Sequence, residues 1–266
     1  MRLIDLLRGF EFCSEYDKVC KHSHITGITA DSRKVGPGFL FAALPGGNLS
    51  GLNFIQDALS RGAVAIMVPL TDSPYLLKET TISIFYSENI RRDYSKLVGK
   101  FYKPYPENIS AVTGTNGKTS VIEFTRQLLK ECGLASASYG TLGLISRGSP
   151  RDSGLTTPDP SDLYPKLSEL EKNKVNHVAI EASSHGLDQY RLDGLNIKVA
   201  AFTNFSQDHL DYHQTMERYF TAKLRLFSEI IDPNGIAVIN ADDKKAYIIL
   251  DILTKRNITF ITYGKK

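Results

Sequence analysis

The chain has 266 residues, 42% of them hydrophobic and 23% charged, with a formal net charge of +3 at pH 7. That is enough apolar material for a sizeable core and enough length for about two domains. The small positive balance does not make the clustered basic surface of a nucleic-acid binder, and no stretch approaches the ~20 apolar residues that span a bilayer. Nucleic acid and membrane are therefore not expected as partners.

In chain order, residues 1–10 are apolar only in short pieces interrupted by Asp5 and predict a small amphipathic helix rather than a signal peptide. Strands are expected at 24–30, 39–43, 63–68 and 81–85. A helix is expected at 53–61, with Phe54, Ile55, Ala58 and Leu59 on one face, and another at 89–101. Lys103-Pro104-Tyr105-Pro106 disfavours both helix and central strand and predicts a linker. It divides a domain at 1–105 from one at 106–266. The second domain opens with a strand at 109–113 and a helix at 118–132, whose Val121, Phe124, Leu128 and Leu129 lie on one side. Strands at 177–181, 199–203, 235–240 and 258–262 follow, with helices at 160–172, 216–230 and 242–256. Apolar strands alternating with helices predict an α/β fold: a small N-terminal α/β domain, then a mostly parallel sheet covered on both faces. Ligands gather at the carboxyl ends of such strands. Cys13, Cys20 and Cys132 are odd in number and form no C-x-x-C pair, so they read as thiols in a reducing cytosol.

Gly114-Thr115-Asn116-Gly117-Lys118-Thr119 lies between an expected strand and an expected helix, the context of a phosphate-binding loop. Glycines let the backbone wrap phosphates, and the N–H groups at the helix start face them. Lys118 supplies charge, and the Thr119 hydroxyl can ligate Mg²⁺. The usual first glycine of this motif would fall at Val112. Glu181, at the end of its strand, is placed either to hold a metal opposite the loop or to face solvent. Thr203-Asn204-Phe205-Ser206-Gln207-Asp208-His209-Leu210-Asp211-Tyr212-His213 packs two histidines and two aspartates into six residues. If His209 and His213 share a helix face, a zinc site is an alternative, although Leu210 stands where zinc proteases carry glutamate. Taken alone, Lys223 is a surface lysine. Ser153 to Asp159 reads as a helix entry, and Asp31-Ser32-Arg33 as a turn before Gly36-Pro37-Gly38.

In this order and spacing, the clusters resemble the Mur ligase family, and within it the MurE branch, along essentially the whole chain. The motifs most specific to that branch are Thr156-Thr157-Pro158, the run Glu181-Ala182-Ser183-Ser184-His185-Gly186-Leu187 leading to Arg191, and the 203–213 cluster. Gly114–Thr119 matches the family's ATP loop, which explains Val112. Asp31-Ser32-Arg33 with Gly38-Phe39-Leu40-Phe41-Ala42 resembles its uridine-diphosphate-binding domain.

The resemblance implies an ATP-dependent amide ligase of cytoplasmic peptidoglycan precursor synthesis, monomeric, adding a diamino acid to UDP-MurNAc-L-Ala-D-Glu through an acyl phosphate. It implies that Lys118, Lys223 and His209 are catalytic. Thr119 and Glu181 would hold one Mg²⁺ with the ATP phosphates, and His209 would ligate a second. Lys223 would be carbamylated by CO₂. Ser32, Thr156, Thr157, Ser183, Gln189 and Arg191 would contact the UDP-muramoyl dipeptide. In the uridine loop, many members carry polar residues after a Gly; here the stretch is Pro45-Gly46-Gly47-Asn48, with Asn48 as the candidate replacement. In the family the central domain continues beyond a point equivalent to residue 266, and a third domain recognises the incoming amino acid. The expectation is an incomplete central domain without that third domain, and the resemblance leaves meso-diaminopimelate and L-lysine both open. The alternatives are a non-catalytic remnant that binds the UDP-sugar peptide and, more remotely, a generic phosphate-loop ATPase or kinase.

Overall fold

The computed structural model describes residues 1–10, 23–46, 49–71, 82–146 and 154–265. Expectations at Cys13, Cys20, Asn48 and Ser153 lie outside these. The chain divides into two compact units, Met1–Lys103 and Pro104–Lys266.

The first unit holds a four-stranded parallel sheet in the order β1 (Gly27–Thr29), β2 (Phe39–Ala42), β3 (Ala63–Pro69), β4 (Ser83–Ser87). Phe41, Ile66 and Val68 of the sheet pack with Ile55 and Ala58 of α2 (Ile55–Ser60). The α1 helix (Leu3–Leu7) buries Leu3, Leu6 and Leu7. α3 (Ile90–Phe101) starts where the Asn89 side chain accepts the N–H of Arg92, and buries Tyr94, Leu97 and Val98. The helix expected at 53–61 begins later, because Gly51–Phe54 forms a tighter 3₁₀ turn capped by Ser50. Phe54 consequently points outward rather than into the core.

The second unit is built on a seven-stranded sheet. In chain order its strands are β5 (Asn108–Thr113), β6 (Ser136–Gly140), β7 (Gly143–Ile145), β8 (His177–Glu181), β9 (Ile197–Phe202), β10 (Ile231–Asn240) and β11 (Thr259–Tyr263). Their spatial order is β11-β10-β9-β5-β8-β6-β7, parallel except for the β6–β7 hairpin. The helices are α4 (Lys118–Glu131), α5 (Pro160–Lys172), α6 (Ser184–Asp188), α7 (Leu210–His213), α8 (Met216–Arg225) and α9 (Ala246–Lys255). The chain leaves β5 towards β6 on one side, whereas from β9 it moves towards β10 on the other. Such a reversal opens a crevice at the strands' carboxyl ends. Register then sets three strand ends level: Val112 pairs with Glu181 on one side and with Ala201 on the other.

Several elements differ from expectation for local reasons. The β6–β7 hairpin has no counterpart among the expected strands, because Ser136-Ala137-Ser138-Tyr139-Gly140 carries little hydrophobic pattern and is buried by its neighbours. The expected 216–230 helix is α8 followed by a wider π turn at Leu226–Ile230. α9 starts at Ala246, because the Asp243 carboxylate first accepts the N–H of Lys245 and that of Phe205. On α4 the expected apolar side is turned partly outward. Ile122 packs against Val112 and Ala179, while Phe124 and Leu128 are 61% and 66% exposed. All of β11 is exposed, so the expected cover on both faces does not extend to that edge.

Leu163 and Tyr164 of α5 are fully buried. Leu163→Ala should therefore destabilise the second unit by roughly 2–5 kcal/mol. Urea unfolding checks this, and a loss below about 1 kcal/mol would contradict the packing.

Candidate active site

The loop after β5 is shaped by the loop after β9. Thr115 donates its N–H to the Asn204 carbonyl at 2.8 Å, and Asn116 donates its own to Asn204 Oδ1 at 3.0 Å. In return Thr203 Oγ1 donates to the Asn116 carbonyl at 2.7 Å, and the Ser206 N–H donates to Thr115 Oγ1 at 3.0 Å. Gly114 has a φ of 144°, and a Cβ there would collide with Thr203 Oγ1. Gly117 caps α4 with a φ of 85°, so both glycines are required by the backbone path. β5 runs on to Thr113, which places Val112 within the strand and outside the turn.

Lys118 folds back over this loop. Its Nζ donates to the carbonyls of Gly114 at 3.1 Å and Thr115 at 2.8 Å. Burial lowers its pKa, opposed by the charges of Glu181 and Asp208. Lys223, on α8, is 2% exposed and donates to the same Gly114 carbonyl at 2.8 Å, with its amine 4.4 Å from the Tyr219 ring centroid. Burial first, and the positive charge of Lys118 second, push its pKa down to about 7. Tyr219 in turn donates its hydroxyl to Thr115 Oγ1 at 3.2 Å. The reading of Lys223 as an ordinary surface lysine is thus overturned by its burial.

Glu181 is 1% exposed, and its carboxylate accepts the Thr141 N–H at 2.8 Å and the Thr141 hydroxyl at 3.3 Å. Thr157 Oγ1 donates to the Glu181 carbonyl at 2.7 Å and accepts the Ser183 N–H at 2.9 Å. Ser183 Oγ caps α6 by accepting the Gly186 N–H. Arg191 donates to the Thr157 carbonyl at 2.5 Å and to Gln189 Oε1 at 2.6 Å. The segments 156–157 and 183–191 are thereby one hydrogen-bonded surface.

A cavity of about 470 Å³ opens over these groups. It is lined by Thr115, Asn116, Gly117, Lys118 and Thr119, by Glu181 and His209, and by Thr156, Thr157, Ser183 and Arg191. Most of the expected site residues therefore meet. Gly114 and Lys223 lie behind the loop, and Gln189 holds Arg191 from outside the lining. Ser32 belongs to the first unit, where it is buried at the start of a 3₁₀ turn and bonded to Asp57. The lining also includes Thr141 and Leu155, to which the sequence motifs give no role, and His185, which stands inside the 181–187 motif without one. Tyr219 was likewise unassigned. The bulky residues around 205–220 hint at such packing, but nothing in the sequence marks the hydroxyl of Thr141.

The zinc alternative does not survive. His209 precedes α7 in a left-handed conformation (φ 51°), so it shares no regular helix face with His213, which is 4% exposed. Among the described residues, no three His, Cys, Asp or Glu side chains are grouped to hold a metal. The His209 ring lies edge-on to His185, at 4.9 Å between centroids, and His185 packs on Tyr212 at 4.1 Å. Burial, then the neighbouring His209, lowers the pKa of His185. The hydroxyl of Thr119 and the carboxylate of Glu181 are instead hard oxygen donors. They suit a cation such as Mg²⁺ that takes one or two protein ligands and completes its shell with phosphate and water.

Comparison with known proteins agrees with this geometry. Residues 112–266 match the Mur ligase middle domain, and residues 24–109 match the Mur ligase family catalytic domain. The chain belongs to the Mur ligase family. A Zymomonas mobilis protein named UDP-N-acetylmuramoyl-L-alanyl-D-glutamate–2,6-diaminopimelate ligase is 47% identical over 242 residues, which is 91% of this chain and 49% of that one. A Bradyrhizobium diazoefficiens protein of the same name is 45% identical over 241 residues, again 91% and 49% of the two chains. A solved structure bearing that name superposes with a TM-score of 0.78 at 31% identity, covering 90% of this chain and 48% of the other. A MurF structure from Acinetobacter baumannii (TM-score 0.60, 20% identity, covering 91% of this chain and 48% of that one) shares the fold. The chain spans about half the length of the curated relatives it matches.

The Lys223 amine has a pKa of about 7 when folded and an ordinary value of 10.5. Between these the unfolded chain binds the extra proton, so stability should rise with pH over that window and be lower beneath it. Urea unfolding from pH 6.5 to 10 should show this rise, and Lys223→Met should flatten it. An unchanged slope in the variant would contradict the buried neutral amine.

Proposed function

We propose that this chain supplies the sugar-nucleotide-binding unit and the ATP-binding unit of a cytoplasmic ligase that joins a diamino acid to UDP-N-acetylmuramoyl-L-alanyl-D-glutamate. 2,6-Diaminopimelate is the favoured diamino acid, because both bacterial relatives carry it in their names. In this reading residues 1–105 bind the uridine diphosphate end, with Ser32 among the contacts. Residues 106–266 bind ATP and the peptide end. The observation that carries the reading is the shared cavity: Lys118 and Thr119, Glu181 and His209 line the same space as Thr156, Thr157, Ser183 and Arg191.

The chemistry follows from charge. Amide formation from a free carboxylate is uphill in water, so the D-glutamate γ-carboxylate must first be activated. It attacks the γ-phosphorus of ATP, the bond from that phosphorus to the bridging oxygen breaks, and ADP leaves. The product is an acyl phosphate, from which the incoming amine displaces phosphate. The first step brings one anion against another. Lys118, half-buried in the loop, offsets that repulsion. The N–H groups at the start of α4 and Arg191 would hold the reactants in line, which contributes further. Mg²⁺ held by Thr119 and Glu181, and a second ion at His209, would neutralise phosphate charge and orient its oxygens.

Lys223 has a distinct part. A pKa near 7 leaves much of the amine unprotonated at neutral pH. A neutral amine adds to CO₂, forming an N–C bond and releasing one proton, which gives a carbamate. That would replace a cation beside the phosphate loop with an anion able to help organise the second metal.

Binding measurements on the 266-residue chain test the reading. UDP-MurNAc-L-Ala-D-Glu should bind, and Arg191→Ala should weaken it roughly 10- to 100-fold, as expected on losing charge-assisted hydrogen bonds. ATP binding should be retained in that variant and lost in Lys118→Ala. If the dipeptide does not bind, or Arg191→Ala leaves its affinity unchanged, the reading is wrong. Separately, ¹³C-bicarbonate should give a carbamate carbon resonance that Lys223→Ala removes; its persistence in the variant would exclude Lys223 as the modified residue.

A further inference from the structure

The β6–β7 hairpin closes over a two-residue turn, Thr141 and Leu142, between the paired Gly140 and Gly143. This turn reaches Glu181 from above the neighbouring strand. A Cβ at position 140 would run into the Oε1, Cδ and Cγ atoms of Glu181, so the carboxylate lies directly against the hairpin backbone. Thr141 then binds both carboxylate oxygens, through its N–H to Oε1 at 2.8 Å and its hydroxyl to Oε2 at 3.3 Å. The same hydroxyl oxygen lies 3.2 Å from Thr156 Oγ1. Glu181, Thr141 and Thr156 all line the cavity.

A hydroxyl has one proton and two lone pairs. The carboxylate is the strongest acceptor within reach of Thr141, so it takes the Thr141 proton. Thr156 must then donate to Thr141, which leaves the Thr156 lone pairs facing the cavity. Thr156 is thereby set to accept an N–H or O–H from a ligand, and the run Thr156–Thr141–Glu181 is polarised in one direction.

We propose that Thr141 is a positioning residue that couples ligand binding at Thr156 to cation binding at Glu181. A ligand that accepts the geometry of Thr156 fixes the Thr141 rotamer, and that rotamer fixes the carboxylate oxygens with which Glu181 meets the cation. Each ligand then binds to a partner already ordered, so the two assist one another, and by linkage they do so equally. The inference rests on the reading above, in which Glu181 holds a divalent cation and Thr156 faces the UDP-muramoyl dipeptide.

The test uses Mn²⁺ as the probe, titrated by electron paramagnetic resonance into the 266-residue chain with a non-hydrolysable ATP analogue, with and without UDP-MurNAc-L-Ala-D-Glu. In the unsubstituted chain the dipeptide should tighten Mn²⁺ by roughly 2- to 10-fold, the scale of one net hydrogen bond. Thr141→Ser should keep that factor. Thr141→Val keeps the N–H and the shape at an exposed position but removes the hydroxyl, and the factor should fall towards one. Full coupling in Thr141→Val would overturn the proposal. Binding of both ligands without coupling in the unsubstituted chain would overturn it while leaving the functional reading intact. Binding of neither would overturn both.

Discussion

Two lysine amines donate to one carbonyl oxygen, that of Gly114, from 3.1 and 2.8 Å. Two ammonium groups on one acceptor repel each other strongly in a shielded site. Burial first, and then the charge of Lys118, disfavour the protonated form of Lys223, whose pKa falls to about 7. That oxygen belongs to the first residue of the turn at 114–119. The loop can present it only because Thr203, Asn204 and Ser206 hold Thr115 and Asn116 in place. Under the proposed function, an arriving polyphosphate gives Lys118 an anionic partner, and carbamylation changes the sign of the charge at Lys223. Both changes relieve the same conflict.

The fold supplies this arrangement through register. β5, β8 and β9 end level, and the connections leaving β5 and β9 diverge. The turn at 114–119, the acid at 181 and the 203–213 segment therefore emerge around a single crevice. Arg191 bridges the Thr157 carbonyl and Gln189, and Arg191 and Thr157 line the same cavity as that turn. The first unit is a separate parallel sheet with its own core around Phe41 and Ile66.

Much of this was legible in the sequence, for identifiable reasons. The helix at 160–172 and the strand at 177–181 match their expected limits, because Asp159 and Pro160 mark the helix start and an apolar run marks the strand. The glycines and Lys118 mark 114–119 as a candidate phosphate loop through residue type alone, and the structure sets Thr115 to Thr119 on the cavity. Lys223 could not be read in that way. The role proposed for it depends on burial against Gly114, a contact across 109 positions of sequence. The β6–β7 hairpin escaped notice because its small, polar residues are buried by other strands, and with it went Thr141. The stripe expected on α4 failed for a related reason: periodicity identifies apolar residues, but packing against Val112 and Ala179 chose Ile122 over Phe124 and Leu128.

The central claim is spatial: one cation and one polyphosphate are held jointly by the turn at 114–119 and the acid on the next strand. Crystals grown with ADP and Mn²⁺, examined by anomalous scattering at the manganese edge, test it most directly. The account predicts a manganese peak at roughly 2.0–2.3 Å from Thr119 Oγ1 or Glu181, with the β-phosphate against the N–H groups of that turn. A nucleotide bound with its phosphates away from residues 114–119, or manganese coordinated without either side chain, would contradict it.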